Sequence, residues 1–487
     1  MGSTQYEPVI GLEVHVEMLT NSKMFCSCPV VDLTTAEPNS AVCPTCAGHP
    51  GTLPVINKKA IEYGLRVAAA LDCTIANTSI FARKNYFYPD LPKGYQITQY
   101  EQPLAENGKI ILYTSAGEKT IRIRRVHFEE DTGKLTHVGS GETSASLVDL
   151  NRAGVPLLEI VTEPDFHSAL EVRTYAEYLR ALVRYLGVNS GDLEKGVMRI
   201  EPNISVRKIG VEELGTKVEI KNLNSFRALE RGVAYEINRQ INLIEAGEKV
   251  LQETVGWDET KQVTFSQRSK EDAHDYRYFP EPDLPPLLIS DQWIADVRKM
   301  LPELPWTRSQ RYCQQFGLSL SEAWQLALEQ SPGDYFESVL KINPEANIRT
   351  VYAWVTGELT SLMSGKNISF YELSISPAAL SNLLSMISSG KINQNTAKAV
   401  LSEMFLSGKT AEEIVSAGGL TQVSDLDFIT RLIIDCLQQY PNETASYRAG
   451  KTTVVNFLFG QVMRSAGGKA NPQVLREELE KLLKKEG

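Results

Sequence analysis

The chain has 487 residues, of which 42% are hydrophobic and 23% charged, and its formal net charge is −10. That length supports two to four domains with a sizeable core, and the composition is that of a soluble globular protein. The negative charge argues against non-specific coating of nucleic acid but is compatible with a local basic surface that grips one particular RNA.

No apolar run reaches the roughly 18 residues a transmembrane helix needs. The opening residues, Met1 to Tyr6, lack a basic region followed by an apolar stretch. The expectation is an intracellular, cytoplasmic protein without a membrane span.

The first predicted strand is chemically two-sided. Leu12, Val14, Val16 and Met18 alternate with Gly11, Glu13, His15 and Glu17. One face can pack on a core while the other carries two carboxylates and an imidazole. Cys26 and Cys28 follow as C-x-C, then Cys43 and Cys46 as C-x-x-C. Two close pairs across a loop can supply four thiolates to one tetrahedral Zn²⁺, and with no secretory signal this is favoured over two disulfides or four idle thiols. Cys73, Cys313 and Cys436 are isolated and read as small core residues.

Residues 83–95 interleave Arg83, Lys84, Tyr86, Phe87, Tyr88, Lys93 and Tyr95. Such a stretch can stack on bases and contact phosphates, or serve as a loop pinned by its prolines. Further two-sided strands are predicted at 121–131, 157–165, 198–207 and 217–221. The third places Arg199, Glu201, Asn203 and Ser205 on one side, and the last offers Lys217, Glu219 and Lys221. Any one of these is more often a solvated sheet face than a site. Side by side they make one sheet with an apolar back and a floor of Glu, His, Arg, Lys and Asn. That floor suits Mg²⁺, which binds through carboxylates and bridges to substrate phosphates.

His274 to Asp283 form a second aromatic and basic segment. The prolines between Pro280 and Pro286 read as the exit from the first domain. Beyond residue 290 the pattern becomes helical. Ser376-Pro377 reads as a helix start, Thr410 to Glu413 as a capping box for a helix that stops at Gly418-Gly419, and Asn471-Pro472 as the opening of the last helix. Gly450-Lys451-Thr452 is not a P-loop, because Ala445 stands where its first glycine belongs and no strand precedes it. There is no G-x-S-x-G elbow and no amidase-like Gly/Ser-rich signature, so any ammonia or acyl nucleophile the chemistry needs is not expected to be generated by this chain.

The segments Val9-Ile10-Gly11-Leu12-Glu13-Val14-His15, Arg83-Lys84-Asn85-Tyr86-Phe87-Tyr88-Pro89-Asp90, Val148-Asp149-Leu150-Asn151-Arg152, Lys221-Asn222-Leu223-Asn224-Ser225 and Asp275-Tyr276-Arg277-Tyr278-Phe279-Pro280 closely resemble the B subunit of the tRNA-dependent amidotransferase GatCAB. The tail, Gly460-Gln461-Val462-Met463 with Gly468-Lys469-Ala470-Asn471-Pro472, resembles the YqeY-like tail of that family.

This resemblance implies an α+β protein. Its cradle domain (1–293) would be an antiparallel sheet similar to glutamine synthetase and guanido kinases, followed by a helical domain (294–405) and a YqeY-like tail (406–487) that touches tRNA. It implies ATP-dependent phosphorylation of the side-chain carboxylate of mischarged Glu-tRNA(Gln) or Asp-tRNA(Asn). Amidation would follow, with ammonia from an amidase A subunit, and a small C subunit would hold the pair together. Carried over by position, the catalytic and Mg²⁺ site falls on Glu13, His15, Glu130 and Glu159. Lys84, Tyr86, Lys93, Arg199 and Lys221 become candidates for holding substrate, ATP or the tRNA acceptor end. Glu129 faces away from Glu130 in a regular strand, so only one of the two can be a direct ligand; Glu17 and His127 are second-tier candidates. Cys26, Cys28, Cys43 and Cys46 match the zinc-binding form of the family, as a structural aid. A non-catalytic zinc-ribbon RNA scaffold remains the alternative, in which the same carboxylates are only surface charge.

Overall fold

The computed structural model describes residues 5–114, 117–139, 144–269, 275–366, 368–420, 426–467 and 470–485. Met1 to Thr4, His274, Gly468 and Lys469 of the segments above lie outside the described residues. The chain forms two compact units, residues 1–308 and 309–487.

A twelve-stranded sheet organises the first unit. Its strands run in the order Val263–Ser269, Glu253–Asp258, Val218–Lys221, Met198–Lys208, Tyr6–Glu17, Pro156–Thr162, Gly117–Glu130, Tyr95–Thr98, Ala82–Asn85 and Phe279–Pro280. Strands Ala105–Thr114 and Thr74–Ile75 branch from Gly117–Glu130. The alternation read from the sequence sets the two faces: Leu12, Val14, Val16, Val126, Phe128, Leu158, Ile160, Ile200 and Ile204 are all buried at 2% exposure or less on the back.

The expectation of a wholly antiparallel sheet fails at one pair. Val218–Lys221 runs parallel to Glu253–Asp258 because the helix Phe226–Glu245 connects them, and a helical crossover returns the chain in the same direction. The sheet is therefore mixed, within an α+β protein.

Helices cover the apolar back. Ala169–Tyr185 starts at Ser168, whose hydroxyl accepts from the Glu171 amide, and Phe226–Glu245 starts at Ser225 in the same way. These two helices pack together, and the second lies on strand Met198–Lys208. Lys58–Ala70 crosses behind Gly117–Glu130 at Gly64, where a Cβ would come within 2.3 Å of the Phe128 ring. Only glycine permits that approach.

The first unit extends past the expected boundary at 293. Glu281 is buried against Arg83, Leu287–Leu288 pairs with Thr78–Ser79, and helix Asp291–Lys299 packs on Lys58–Ala70 with Val297 fully buried. The proline-rich segment thus leaves the sheet but stays fastened to it.

The second unit is helical, with two separate cores. One gathers Tyr312, Phe336, Trp354, Leu383, Val400, Met404, Ala411 and Val415. The other gathers Ile429, Ile433, Leu458, Val462, Leu475 and Leu479. The expected boundary at 405 falls inside the first core, because Gln394–Ser407 and Ala411–Gly418 pack on each other. The helix punctuation follows the sequence. Ser376 caps a helix opened by Pro377, Thr410 and Glu413 form a reciprocal capping box, and Gly419 ends that helix at φ +56°. Asn471 accepts from the amides of Gln473 and Val474.

Candidate active site

The floor of the sheet is built by register. His15 lies opposite Glu159 on one side and Arg199 on the other, and Glu159 lies opposite His127. One row further along, Glu13 lies opposite Glu201. Glu219 joins through the Asn203–Glu219 pair of the next strand. Side chains at alternate positions of paired strands share a face, so these residues converge on one surface.

Two clusters result. In the first, His15, Glu129 and Glu159 bring ligand atoms within 4.8 Å of one another. His127 Nε2 lies 3.1 Å from Glu159 and 3.6 Å from Glu129, and His15 Nε2 lies 3.6 Å from Glu159. Two imidazoles thus bracket two carboxylates, and the Nδ1 atoms of both are buried without a hydrogen-bond partner. Burial alone would favour neutral imidazole, yet the hydrogen bond and charge of Glu159 hold His15 up at about 9. Burial likewise opposes charge on Glu159, but His127 and His15 keep that carboxyl well below its ordinary range.

In the second cluster, Glu13, Glu201 and Glu219 meet within the same 4.8 Å span. Burial pushes the Glu13 carboxyl up, helped by the charges of Glu159, Glu219 and Glu201. Lys221 partners two of the three, at 3.0 Å from Glu201 and 3.6 Å from Glu219.

Both clusters fit a hard divalent cation. Ligand atoms around Mg²⁺ at about 2.1 Å sit roughly 3 to 4 Å apart, and carboxylate oxygens are its preferred donors. Carboxylates crowded until burial and mutual repulsion disfavour their charge gain most from a bound cation. Lys221 already partners two carboxylates of the second cluster, while in the first burial is outweighed by His127, His15 and, at longer range, Lys84, which lower Glu129 and Glu159.

The sequence-derived site residues divide accordingly. Glu13, His15 and Glu159 stand together on the floor. Glu130 does not: its carboxylate turns to the other side of its strand, accepts from the Ile97 amide and pairs with Lys93. Glu129 takes the expected place, because it shares strand parity with His127, whose register opposite Glu159 fixes the wet side. Lys93 leaves the floor with Glu130; both line a separate cavity of about 270 Å³ with Cys26, Cys46 and Arg83. Arg199 is held by Asp131 at 2.9 Å and Glu17 at 3.4 Å. Lys84 lies 5.0 Å from the Tyr276 ring centre and 5.9 Å from that of Tyr86, and burial against its charge is outweighed by Glu129, so its ammonium is held above the ordinary range. Glu201, Glu219 and Asp131 are floor acids that sequence reasoning left unassigned; their strand parity with Arg199 and with Glu129 was the available signal.

The four cysteines converge as their spacing suggests. All seven cysteines are free, and Cys26, Cys28, Cys43 and Cys46 bring their sulfurs within 4.8 Å of one another. Cys46 Sγ lies 3.9 Å from Cys28 Sγ and 3.8 Å from Cys43 Sγ. A tetrahedral Zn²⁺ with bonds of about 2.3 Å requires sulfurs about 3.8 Å apart, so the donor set fits. Lys23, fully buried, reaches Cys46 Sγ at 3.5 Å and the Leu150 carbonyl at 3.1 Å. A cation there would offset part of the negative charge that four thiolates would leave around one zinc.

Residues 8–295 match the family described as the GatB/GatE catalytic domain, and residues 334–483 match the GatB domain. The B subunit of the aspartyl/glutamyl-tRNA(Asn/Gln) amidotransferase of Thermodesulfovibrio yellowstonii is 48% identical over 480 residues, covering 99% of this chain and 100% of its own length. Proteins of the same name from Myxococcus xanthus (48% identical) and Carboxydothermus hydrogenoformans (46% identical) are covered over 100% of their length, by 99% and 98% of this chain. This chain belongs to the family of B subunits of the aspartyl/glutamyl-tRNA(Asn/Gln) amidotransferase.

Proposed function

We propose that the floor is the phosphoryl-transfer site of a tRNA-dependent amidotransferase. The reading is that the chain activates the side-chain carboxylate of Glu-tRNA(Gln) or Asp-tRNA(Asn) with ATP, for amidation by ammonia from the A subunit. The observation that carries it is the floor itself, where carboxylates fit for a divalent cation stand beside cationic side chains on one surface.

Glu129 and Glu159 would hold Mg²⁺, with His15 joining once the cation has displaced its proton, and the bound charge would neutralise the phosphates of ATP. His127 fixes both carboxylates from the side away from solvent. The attacking carboxylate is ionised at neutral pH and needs no general base. Lys84 faces this group of acids without an ion pair among the described residues and is suited to hold an incoming anion. The strands around the floor would form the cradle of the family's fold. The cysteine cluster would hold Zn²⁺ structurally, pinning the loop beside the first strand, where the Met24 amide donates to the Gly154 carbonyl. The helical unit and its tail would hold the tRNA body, and the small C subunit would hold the assembly together.

The test is ATP consumption by the complex reconstituted with A and C subunits, with and without Glu-tRNA(Gln). Turnover is expected to depend on the mischarged tRNA and to be lost in Glu159→Gln while tRNA still binds. Undiminished turnover in Glu159→Gln would move the site elsewhere.

A further inference from the structure

We infer that Arg125 is a phosphate-binding residue of the floor, contacting the triphosphate of the nucleotide. The inference rests on the phosphoryl-transfer reading above and deepens it.

Arg125, like Lys84, is set apart from the ion-paired cations of that face. Lys221 and Arg199 are each held by two carboxylates. Arg125 makes no ion pair and no hydrogen bond among the described residues, and its Nε is shielded from solvent without a partner. Its cross-strand neighbour on one side is Val161, which offers nothing polar, and on the other Glu106, which is exposed and forms no pair with it. A buried donor left unsatisfied is unfavourable, and a guanidinium so placed is prepared for an acceptor that arrives from outside.

The backbone supplies a second, independent observation. Register between Pro156–Thr162 and Gly117–Glu130 shifts at this point: Val161 pairs with Arg125, but Thr162 pairs with Ile123, so Arg124 is an extra residue. Up to Ile123 the odd-numbered residues of this strand face the core. Beyond the bulge Val126 and Phe128 do, and the odd-numbered Arg125, His127 and Glu129 face the floor. The bulge therefore turns Arg125 onto the surface that carries the acids.

The ligand class follows from geometry. Arg125 and Glu129 are four residues apart, roughly 13 Å between α-carbons at the rise of an extended strand. A triphosphate resting on a cation at Glu129 and Glu159, met by a long arginine side chain, spans that distance, whereas a lone carboxylate does not. A guanidinium also matches phosphate oxygens with two parallel donors. The Tyr278 phenol lies within electrostatic reach of both Arg125 and Lys84 and stacks on Tyr100 at 4.1 Å, so this corner has an aromatic wall.

The experiment measures equilibrium binding of MgATP, adenosine and Glu-tRNA(Gln) to the reconstituted complex, for wild type, Arg125→Gln and Arg125→Lys. Arg125→Gln is expected to weaken MgATP roughly 10- to 100-fold, the worth of one charge-assisted contact, with adenosine and tRNA affinities and the melting temperature unchanged. Arg125→Lys is expected to recover part of the loss. MgATP affinity unchanged in Arg125→Gln, an equal loss for adenosine, or a loss confined to tRNA would each overturn the inference. A wild-type complex that binds no MgATP would remove the phosphoryl-transfer reading and this inference with it.

Discussion

At the scale of single residues, strand parity decides which carboxylates work together. Glu129 and Glu130 are neighbours in sequence, yet one meets His15 and Glu159 while the other meets Lys93 and the Ile97 amide. Position by resemblance pointed to Glu130, whereas His127, two residues before Glu129, marks the face on which Glu129 stands. The bulge at Arg124 left its mark in the sequence too: the apolar positions step from Ile121 and Ile123 to Val126 and Phe128, one three-residue interval in an otherwise period-two strand. The two acids are therefore expected to differ in one measurable property. Glu129→Gln raises the Mg²⁺ concentration for half-maximal ATP consumption by about 10-fold or more, the effect typical of disturbing a metal site. Glu130→Gln leaves it unchanged. Equal effects would place the cation elsewhere. His127→Asn, which is smaller and has no donor where Nε2 stands, is expected to move the same quantity in the direction of Glu129→Gln.

At the scale of elements, the cysteine loop was legible because its ligands are local. Two close pairs separated by a short loop need no knowledge of the rest of the fold. Lys23 was not legible, since its partner Leu150 lies 127 residues away in sequence. The fully buried ammonium links the cysteine cluster to the segment carrying Leu150 and Arg152. Cys46→Ser is expected to lose bound zinc and lower the melting temperature. Lys23→Met is expected to keep zinc but release it faster to a chelator, because the thiolates lose their compensating charge and donor. Zinc release at the wild-type rate in Lys23→Met would show that the lysine serves packing alone. The parallel pair was beyond sequence reading for a related reason. Strand direction is set by the helix Phe226–Glu245 between the partners, which the reading of alternating strands before residue 290 did not include.

At the scale of the whole molecule, strand patterning gives way to helical patterning near residue 290, while the first compact unit runs on to residue 308. Prolines stop a strand, yet they do not prevent Glu281, Leu287 and Val297 from fastening the following segment to the first unit. The cores of the helical unit are closed by their own side chains. Leu479→Ala in the last core should cost roughly 2–5 kcal/mol of that core's stability. Mg²⁺ and ATP binding by the first unit should be untouched, as followed by denaturant unfolding beside nucleotide binding. Loss of nucleotide binding in that variant would contradict the assignment of the chemistry to the sheet.

The central claim is that the floor transfers phosphate to a carboxylate, and isotope transfer tests it most directly. Glu-tRNA(Gln) carrying ¹⁸O in its side-chain carboxyl is turned over with ATP and glutamine by the reconstituted complex, and the inorganic phosphate is analysed by mass. An acyl phosphate broken by ammonia at carbon leaves one carboxylate oxygen on the phosphate, so labelled phosphate is the predicted result. Phosphate free of ¹⁸O, formed alongside Gln-tRNA(Gln), would contradict the account.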